Sequence, residues 1–159
     1  MTKNVGRTIL LALVMLAARA EAADTTYHAS MCVGYSPNAR ADLVYSTNGV
    51  ENRSTTNNWI VWCPAPAVGV TTDASAFGNV SGVDNSTTDL VSCTLYGLGM
   101  DDSIFYTLGA NSTTAGTGSF SFNYAPTRMG SLYYTYKCTL PAWPSGGSPS
   151  RITTYRFRS

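Results

Sequence analysis

The sequence predicts an all-β fold: an antiparallel β-sandwich of roughly eight strands, jelly-roll or immunoglobulin-like, stabilised by disulfides. Short runs of β-branched and aromatic residues recur between clusters of turn-forming residues, as in sandwiches and barrels. Apolar and polar side chains alternate within several of these runs, which is the period of a strand with one buried face. Four cysteines in an otherwise hydroxyl-rich chain indicate disulfide reinforcement.

The predicted strands follow one another along the chain without a credible long helix between them. They cover residues 43–46, 58–63, 67–72, 88–96, 103–108, 118–124, 131–140 and 151–158. Asn48 and Gly49 follow the first run and favour a hairpin turn. Pro64 is predicted to end the second run, because proline cannot donate to a strand ladder. Residues 75–87 and 109–118 are small and polar and are predicted as flexible loops.

Side-chain alternation indicates which residues face the core. Phe120 and Phe122 alternate with small polar residues, so one face of that strand is expected to be buried. Cys63, Cys93 and Cys138 stand an even number of positions from the apolar residues of their own runs, so they lie on the same side of the predicted strand. We therefore expect their sulfur atoms to lie in the core between the sheets.

The four cysteines are Cys32, Cys63, Cys93 and Cys138, and an even number in an exported chain favours two disulfides. Three connectivities are open, of which the sequential pairs Cys32–Cys63 and Cys93–Cys138 are favoured. Each of these pairs would close a loop of a few tens of residues and stabilise the fold by roughly 3 to 4 kcal/mol. A zinc site is disfavoured, because zinc cysteines usually come as closely spaced pairs.

The first 22 residues resemble a cleavable signal peptide. Lys3 and Arg7 precede an apolar run over residues 9–18, and small residues follow at Ala20 and Ala22. The run is too short to span a bilayer, which takes about 20 residues. Residues 23–159 are then expected to form one domain that is secreted, or periplasmic or on the cell surface in a bacterium.

The charge of the expected mature chain is close to zero. Cleavage after residue 22 would remove three of the ten basic residues and one of the nine acidic ones, leaving a net charge of −1. Electrostatic capture of nucleic acid or anionic lipid is therefore not expected. Arg151, Arg156 and Arg158 are expected to be solvated side chains on a terminal strand.

The chain offers little catalytic chemistry. His28 is its only histidine, near the expected mature N-terminus and predicted to be a solvated terminal residue; Glu51 is the only glutamate after residue 22. A metal site with two histidines is impossible, and no Gly-x-Ser-x-Gly turn presents a nucleophile. We predict no catalytic residue, no metal and no cofactor, and an enzyme of unknown type ranks third among the functions.

Two kinds of polar segment have an open interpretation. Residues 84–89 and 101–103 carry oxygen ligands that calcium accepts, but they lack the spacing of an EF-hand and also suit turns. Four Asn-x-Ser/Thr triplets matter only if the source organism glycosylates them. They begin at Asn52, Asn79, Asn85 and Asn111.

Two function classes remain for a secreted, non-enzymatic sandwich. The first is an extracellular structural or assembly module that self-associates or binds a protein partner. The alternative is a carbohydrate-binding module, because flat apolar rings suit the faces of sugars. The candidate binding residues are four aromatics. The alternation of side chains turns three of them away from the core, namely Trp62, Tyr96 and Tyr133, and the fourth, Trp143, lies in a proline-flanked loop. A concentration-dependent oligomer would favour assembly, whereas two coplanar exposed rings would favour sugar binding.

Overall fold

The computed structural model describes residues 25–66, 77–98, 105–125, 133–143 and 147–158. The predicted signal peptide over residues 1–22 and the predicted strand over residues 67–72 lie outside the described residues.

The fold class predicted from the sequence is confirmed, because two antiparallel sheets form a sandwich with one short helix, α1 (Ala39–Asp42), and one 3₁₀ turn, Ala29–Met31. The expectation of roughly eight strands was too low, since the described residues contain eleven. In chain order they are β1 Thr25–His28, β2 Val33–Gly34, β3 Leu43–Ser46, β4 Gly49–Asn52, β5 Trp59–Pro66, β6 Phe77–Asp84, β7 Ser92–Leu98, β8 Phe105–Ser112, β9 Gly118–Tyr124, β10 Tyr133–Leu140 and β11 Arg151–Arg158.

The strands divide into two sheets by their hydrogen-bonded neighbours. Sheet A has the order β3-β4-β11-β6-β9, and β1 pairs with β11 beside it. Sheet B has the order β2-β5-β10-β7-β8. β11, the last strand of the described residues, is therefore central in sheet A. Arg151 and Arg156 of this strand are half-buried, and the guanidinium of Arg156 lies 5.1 Å from the ring centre of Phe77.

The core lies between the sheets and is rich in aromatic rings. Tyr136 of sheet B meets Tyr155 of sheet A edge-on, with ring centres 6.0 Å apart. The hydroxyl of Tyr136 donates to the carbonyl of Arg156 at 2.7 Å, and that of Tyr124 donates to the carbonyl of Cys93 at 2.9 Å. These bonds satisfy polar groups inside the core and tie one sheet to the other.

Two segments predicted as loops contain strands instead. β6 occupies most of residues 75–87 and pairs with both β11 and β9, and β8 extends to Ser112.

Pro64 does not end its strand, since β5 continues to Pro66. β2 pairs with β5 only at Val61 and Trp62. At Pro64, β10 is the one described strand that pairs with β5, so the other side of β5 has no described partner there. A proline is tolerated on such an edge.

Both disulfides stabilise sheet B: one joins β7 to β10, and the other joins the residue before β2 to β5. Cys32 pairs with Cys63, and Cys93 pairs with Cys138, with Cα atoms 4.1 Å apart in each bond. Cys93 and Cys138 are direct partners in the register of β7 and β10. All four cysteines are buried, and Cys63, Cys93 and Cys138 lie on the inner face of sheet B, as the alternation within their runs predicted.

Candidate functional site

Three aromatic side chains form a row across the outer face of sheet B. Trp62 lies in the middle of β5, where the alternation that buries Val61 and Cys63 turns it outward. Tyr96 is turned outward in the same way on β7, and Tyr35 follows β2, where its N–H donates to the carbonyl of Ile60 at 2.9 Å. We call Tyr35, Trp62 and Tyr96 the aromatic row.

The rings of the aromatic row are in contact but are not coplanar. The ring centres of Tyr35 and Trp62 lie 6.3 Å apart with their planes at 44°, and those of Trp62 and Tyr96 lie 5.9 Å apart at 38°. Successive strands of a sheet are rotated against one another, so rings carried by different strands change direction across the sheet. The criterion of two coplanar exposed rings is therefore not met by these three residues.

Strand β10 runs between the strands that carry Trp62 and Tyr96, and it places polar groups beside the row. Lys137 is the register partner of Trp62, with its Nζ atom 6.0 Å from the indole centre. Thr135 is the register partner of Tyr96, and Thr94 is the partner of Lys137 on the other side. Among the described strand positions of this face, Lys137 is the one charged residue.

The exposed apolar surface continues beyond the aromatic row. Tyr35 is 69% exposed, Val33 beside Trp62 is 52% exposed, and Tyr133 further along β10 is 56% exposed. The structure thus brings Trp62 and Tyr96 together and places Tyr133 on the same face of β10 as Lys137. Trp143 lies apart in the segment after β10, where its indole N–H donates to the carbonyl of Gly147 at 2.6 Å.

A shallow depression of about 150 Å³ opens at the Tyr35 end of the row. It is lined by Tyr35, Ser36, Asn58, Trp59 and Ile60. Asn58 Oδ1 accepts a bond from the N–H of Ala142 at 2.7 Å. The Trp59 indole N–H donates to Asp42 Oδ2 at 2.8 Å, which fixes the ring that forms one wall.

His28 and Glu51 hold local structure. His28 was predicted to be a solvated terminal residue, but it ends β1, where Nδ1 accepts from the N–H of Ser30 at 3.2 Å and caps the 3₁₀ turn. Its Nε2 lies 3.0 Å from the carbonyl oxygen of Thr47, so both ring nitrogens are engaged. Glu51 is nearly buried and pairs with Arg53 at 2.6 Å.

Asp84 is a buried structural residue and does not offer an open calcium site. Its Oδ1 accepts from the N–H of Ser86 at 3.1 Å and from the hydroxyl of Ser150 at 2.9 Å. Its Oδ2 accepts from the N–H of Val91 at 3.2 Å and from the hydroxyl of Thr113. Within the described ranges no group of three or more metal-ligating side chains occurs. Residues 101–103 lie outside the described residues.

One predicted glycosylation triplet is inaccessible. The Nδ2 atom of Asn52 is fully buried, and its two hydrogens are shared among the carbonyls of Asn57, Leu140 and Pro141, at 2.8, 3.1 and 2.9 Å. Attachment of a sugar at Nδ2 would break this arrangement, so folded protein cannot be modified there.

Comparison with known proteins adds little to this description. No protein-family model matches the chain, and no curated protein matches it. The chain is similar to a solved structure described as "BiXyn10A CBM1 APO", a carbohydrate-binding module, with 11% identity and a TM-score of 0.41 over 85% of this chain and 96% of the other. A likeness this weak carries no argument about function. In the part of the chain that the structure describes, no helix is long and apolar enough to cross a membrane.

Proposed function

We propose that this chain is a non-enzymatic module that binds a neutral glycan chain along the aromatic row. The observation that carries the proposal is the line of three contacting rings on a face with hydroxyl side chains and a single charge. A sugar ring packs its apolar face on an aromatic ring while its hydroxyls exchange hydrogen bonds at the edge. Thr94 beside the row supplies a hydroxyl that can both donate and accept, whereas the Thr135 hydroxyl donates to the carbonyl of Cys63 at 3.3 Å and is offered as an acceptor.

The tilt of the rings favours a single twisted chain as the ligand. A flat polymer surface cannot touch three rings whose planes turn by 44° and then 38°. A flexible oligosaccharide presents successive sugar rings at different angles, so each of its rings can pack on one member of the row. The near absence of charge favours a neutral sugar, since anionic glycans are bound by several lysine or arginine side chains.

An extracellular assembly role, the first of the two function classes expected from the sequence, is the alternative to glycan binding. The exposure of Val33, Tyr35 and Tyr133 on one face supports it, because a contiguous apolar patch can also bury itself against a second copy.

The proposal places the protein outside the cytoplasm, which is where two disulfides persist. The signal peptide over residues 1–22 remains a prediction.

The first test is the effect of Trp62→Ala on glycan affinity. Titration calorimetry with linear gluco-, manno- and xylo-oligosaccharides is expected to identify a ligand for the wild type. Removal of the central ring should then weaken binding by about ten-fold or more, because aromatic anchors contribute roughly 1 to 3 kcal/mol. Added salt should leave the affinity unchanged, since the ligand is neutral.

Leu90→Ala is the matched control, because Leu90 is also an exposed apolar side chain but lies in the link before β7. It should bind as tightly as the wild type. Equal affinity of Trp62→Ala and the wild type would overturn the proposal. Absence of glycan binding together with a concentration-dependent oligomer in ultracentrifugation would select assembly instead.

A further inference from the structure

We infer that the depression beside Tyr35 holds the terminal ring of the glycan and that Asn58 determines which terminal sugar is accepted. This inference rests on the proposed function and names the part of the ligand that gives specificity. The aromatic row can bind any chain with apolar sugar faces. Recognition of one particular sugar needs directional polar groups in a confined space.

The size of the depression fits one sugar ring. A closed cavity of about 150 Å³ binds benzene. The depression has a similar volume but is open to solvent, so a bulkier sugar ring can enter it with part of its surface outside. Tyr35 and Trp59 provide aromatic surface, while Ser36 and Asn58 provide polar groups. One apolar face and several hydroxyls of a sugar ring would therefore both find partners here.

The depression is continuous with the aromatic row because the two share Tyr35. The Tyr35 ring is in contact with Trp62 and also lines the depression. A chain that packs over Tyr96, Trp62 and Tyr35 in turn therefore reaches the depression with its next ring.

Asn58 is held in one orientation before any ligand arrives. Because Oδ1 accepts from the N–H of Ala142, the amide cannot flip without losing that bond. Nδ2 is left as a donor without an acceptor among the described residues. A donor fixed in this way discriminates between sugars that differ in the orientation of one hydroxyl, because the wrong epimer leaves it unpaired.

The test uses Asn58→Asp, which keeps the oxygen that accepts from Ala142 and replaces the donor Nδ2 by oxygen. Binding is measured with linear oligosaccharides that share an internal sequence and differ only in the epimer at the terminal ring. The wild type should prefer one epimer by about ten-fold or more. Asn58→Asp should abolish this preference with an unchanged melting temperature, whereas Trp62→Ala should weaken all ligands and keep their ranking.

The outcomes separate the inference from the function on which it rests. If Trp62→Ala weakens binding while Asn58→Asp keeps the epimer preference, the inference is overturned and glycan binding stands. If a cyclic oligosaccharide of the same sugar, which has no terminal ring, binds as tightly as the linear one, the inference is also overturned. If no oligosaccharide binds the wild type, both fail.

Discussion

At the scale of single residues, Asp84 shows how one buried carboxylate organises several loops. It ends β6 and accepts bonds from Ser86, Val91, Thr113 and Ser150. These donors lie in the link to β7, after β8 and before β11, so one side chain joins segments from both sheets. Burial of a carboxyl group is costly, and it is tolerated only when hydrogen-bond donors surround the group.

We expect Asp84→Ala to lower the free energy of unfolding by about 3 kcal/mol or more, because several buried donors lose their shared acceptor at once. Asp89→Ala is the control, since Asp89 is an exposed carboxylate in the same segment and should change stability by less than about 0.5 kcal/mol. Urea unfolding curves measure both. Similar losses in the two variants would contradict the structural role assigned to Asp84.

The candidate site was predictable in part from the sequence. Parity singled out Trp62, Tyr96 and Tyr133 as outward-facing, because it follows from the alternation of long strands. Tyr35 carries no such signal, since it follows a strand of two residues and its place is set by pairing with β5. Whether these residues bind a ligand remains a prediction.

At the scale of elements, the strands with regular alternation were the ones that the sequence located best. The bounds of β3, β9 and β11 match their predicted runs, and β7, β8 and β10 overlap theirs. β1, β2 and β4 contain four residues or fewer and pair with longer neighbours. β3 is equally short, but the Asn48-Gly49 turn after it marks it in the sequence. Short strands of this kind leave no periodic signal in the sequence.

Strand β6 was missed for a different physical reason. Its buried positions are Gly78, Val80, Gly82 and Asp84, so the face that should carry apolar residues carries two glycines and a carboxylate. A Cβ atom at Gly78 would overlap the hydroxyl of Tyr136, and one at Gly82 would overlap the carbonyl of Arg151. Because neighbouring groups approach so closely, only glycine fits at these two positions. The glycines interrupt the alternation of apolar and polar residues by which a strand is recognised in a sequence.

The two disulfides should differ in their effect on binding although they contribute similarly to stability. Their sequence separations are 31 and 45, so removal of either pair by alanine should cost roughly 3 to 4 kcal/mol. β2 pairs with β5 at only two positions, so loss of Cys32–Cys63 should also release Tyr35 and weaken glycan binding.

Loss of Cys93–Cys138 should leave affinity nearly unchanged at temperatures where the protein remains folded, since β7 is paired with β10 along its whole length. Urea unfolding and titration calorimetry on the two double variants measure the difference. The assignment of Tyr35 to the site is wrong if both variants retain full affinity.

At the scale of the whole molecule, buried tyrosines make the sandwich sensitive to alkali. Burial raises the pKa of Tyr155 to about 12, and it holds the pKa values of Tyr124 and Tyr136 far above the usual range of phenols. The core thus favours the neutral phenols, whereas the unfolded chain ionises them near the usual value of 10.0.

The stabilisation from these neutral phenols is therefore complete below pH 10 and is lost as the pH rises through the raised values of the folded state. We expect the urea midpoint to be constant between about pH 7 and 9 and to fall above about pH 10. The part of the tyrosinate absorbance that comes from Tyr124, Tyr136 and Tyr155 should appear together with unfolding, in one transition. Ionisation of all tyrosines near pH 10 in still-folded protein would contradict this.

The central place of β11 in sheet A governs when the chain can fold during its synthesis. β1, β4 and β6 all pair with this last strand, and Thr25 near one end of the described chain is the register partner of Phe157 near the other. A ribosome releases residues in order, so the earlier strands of sheet A wait for their common neighbour. A chain that stops before residue 151 would therefore lack the common neighbour of these strands and is expected to be unfolded and degraded by proteases.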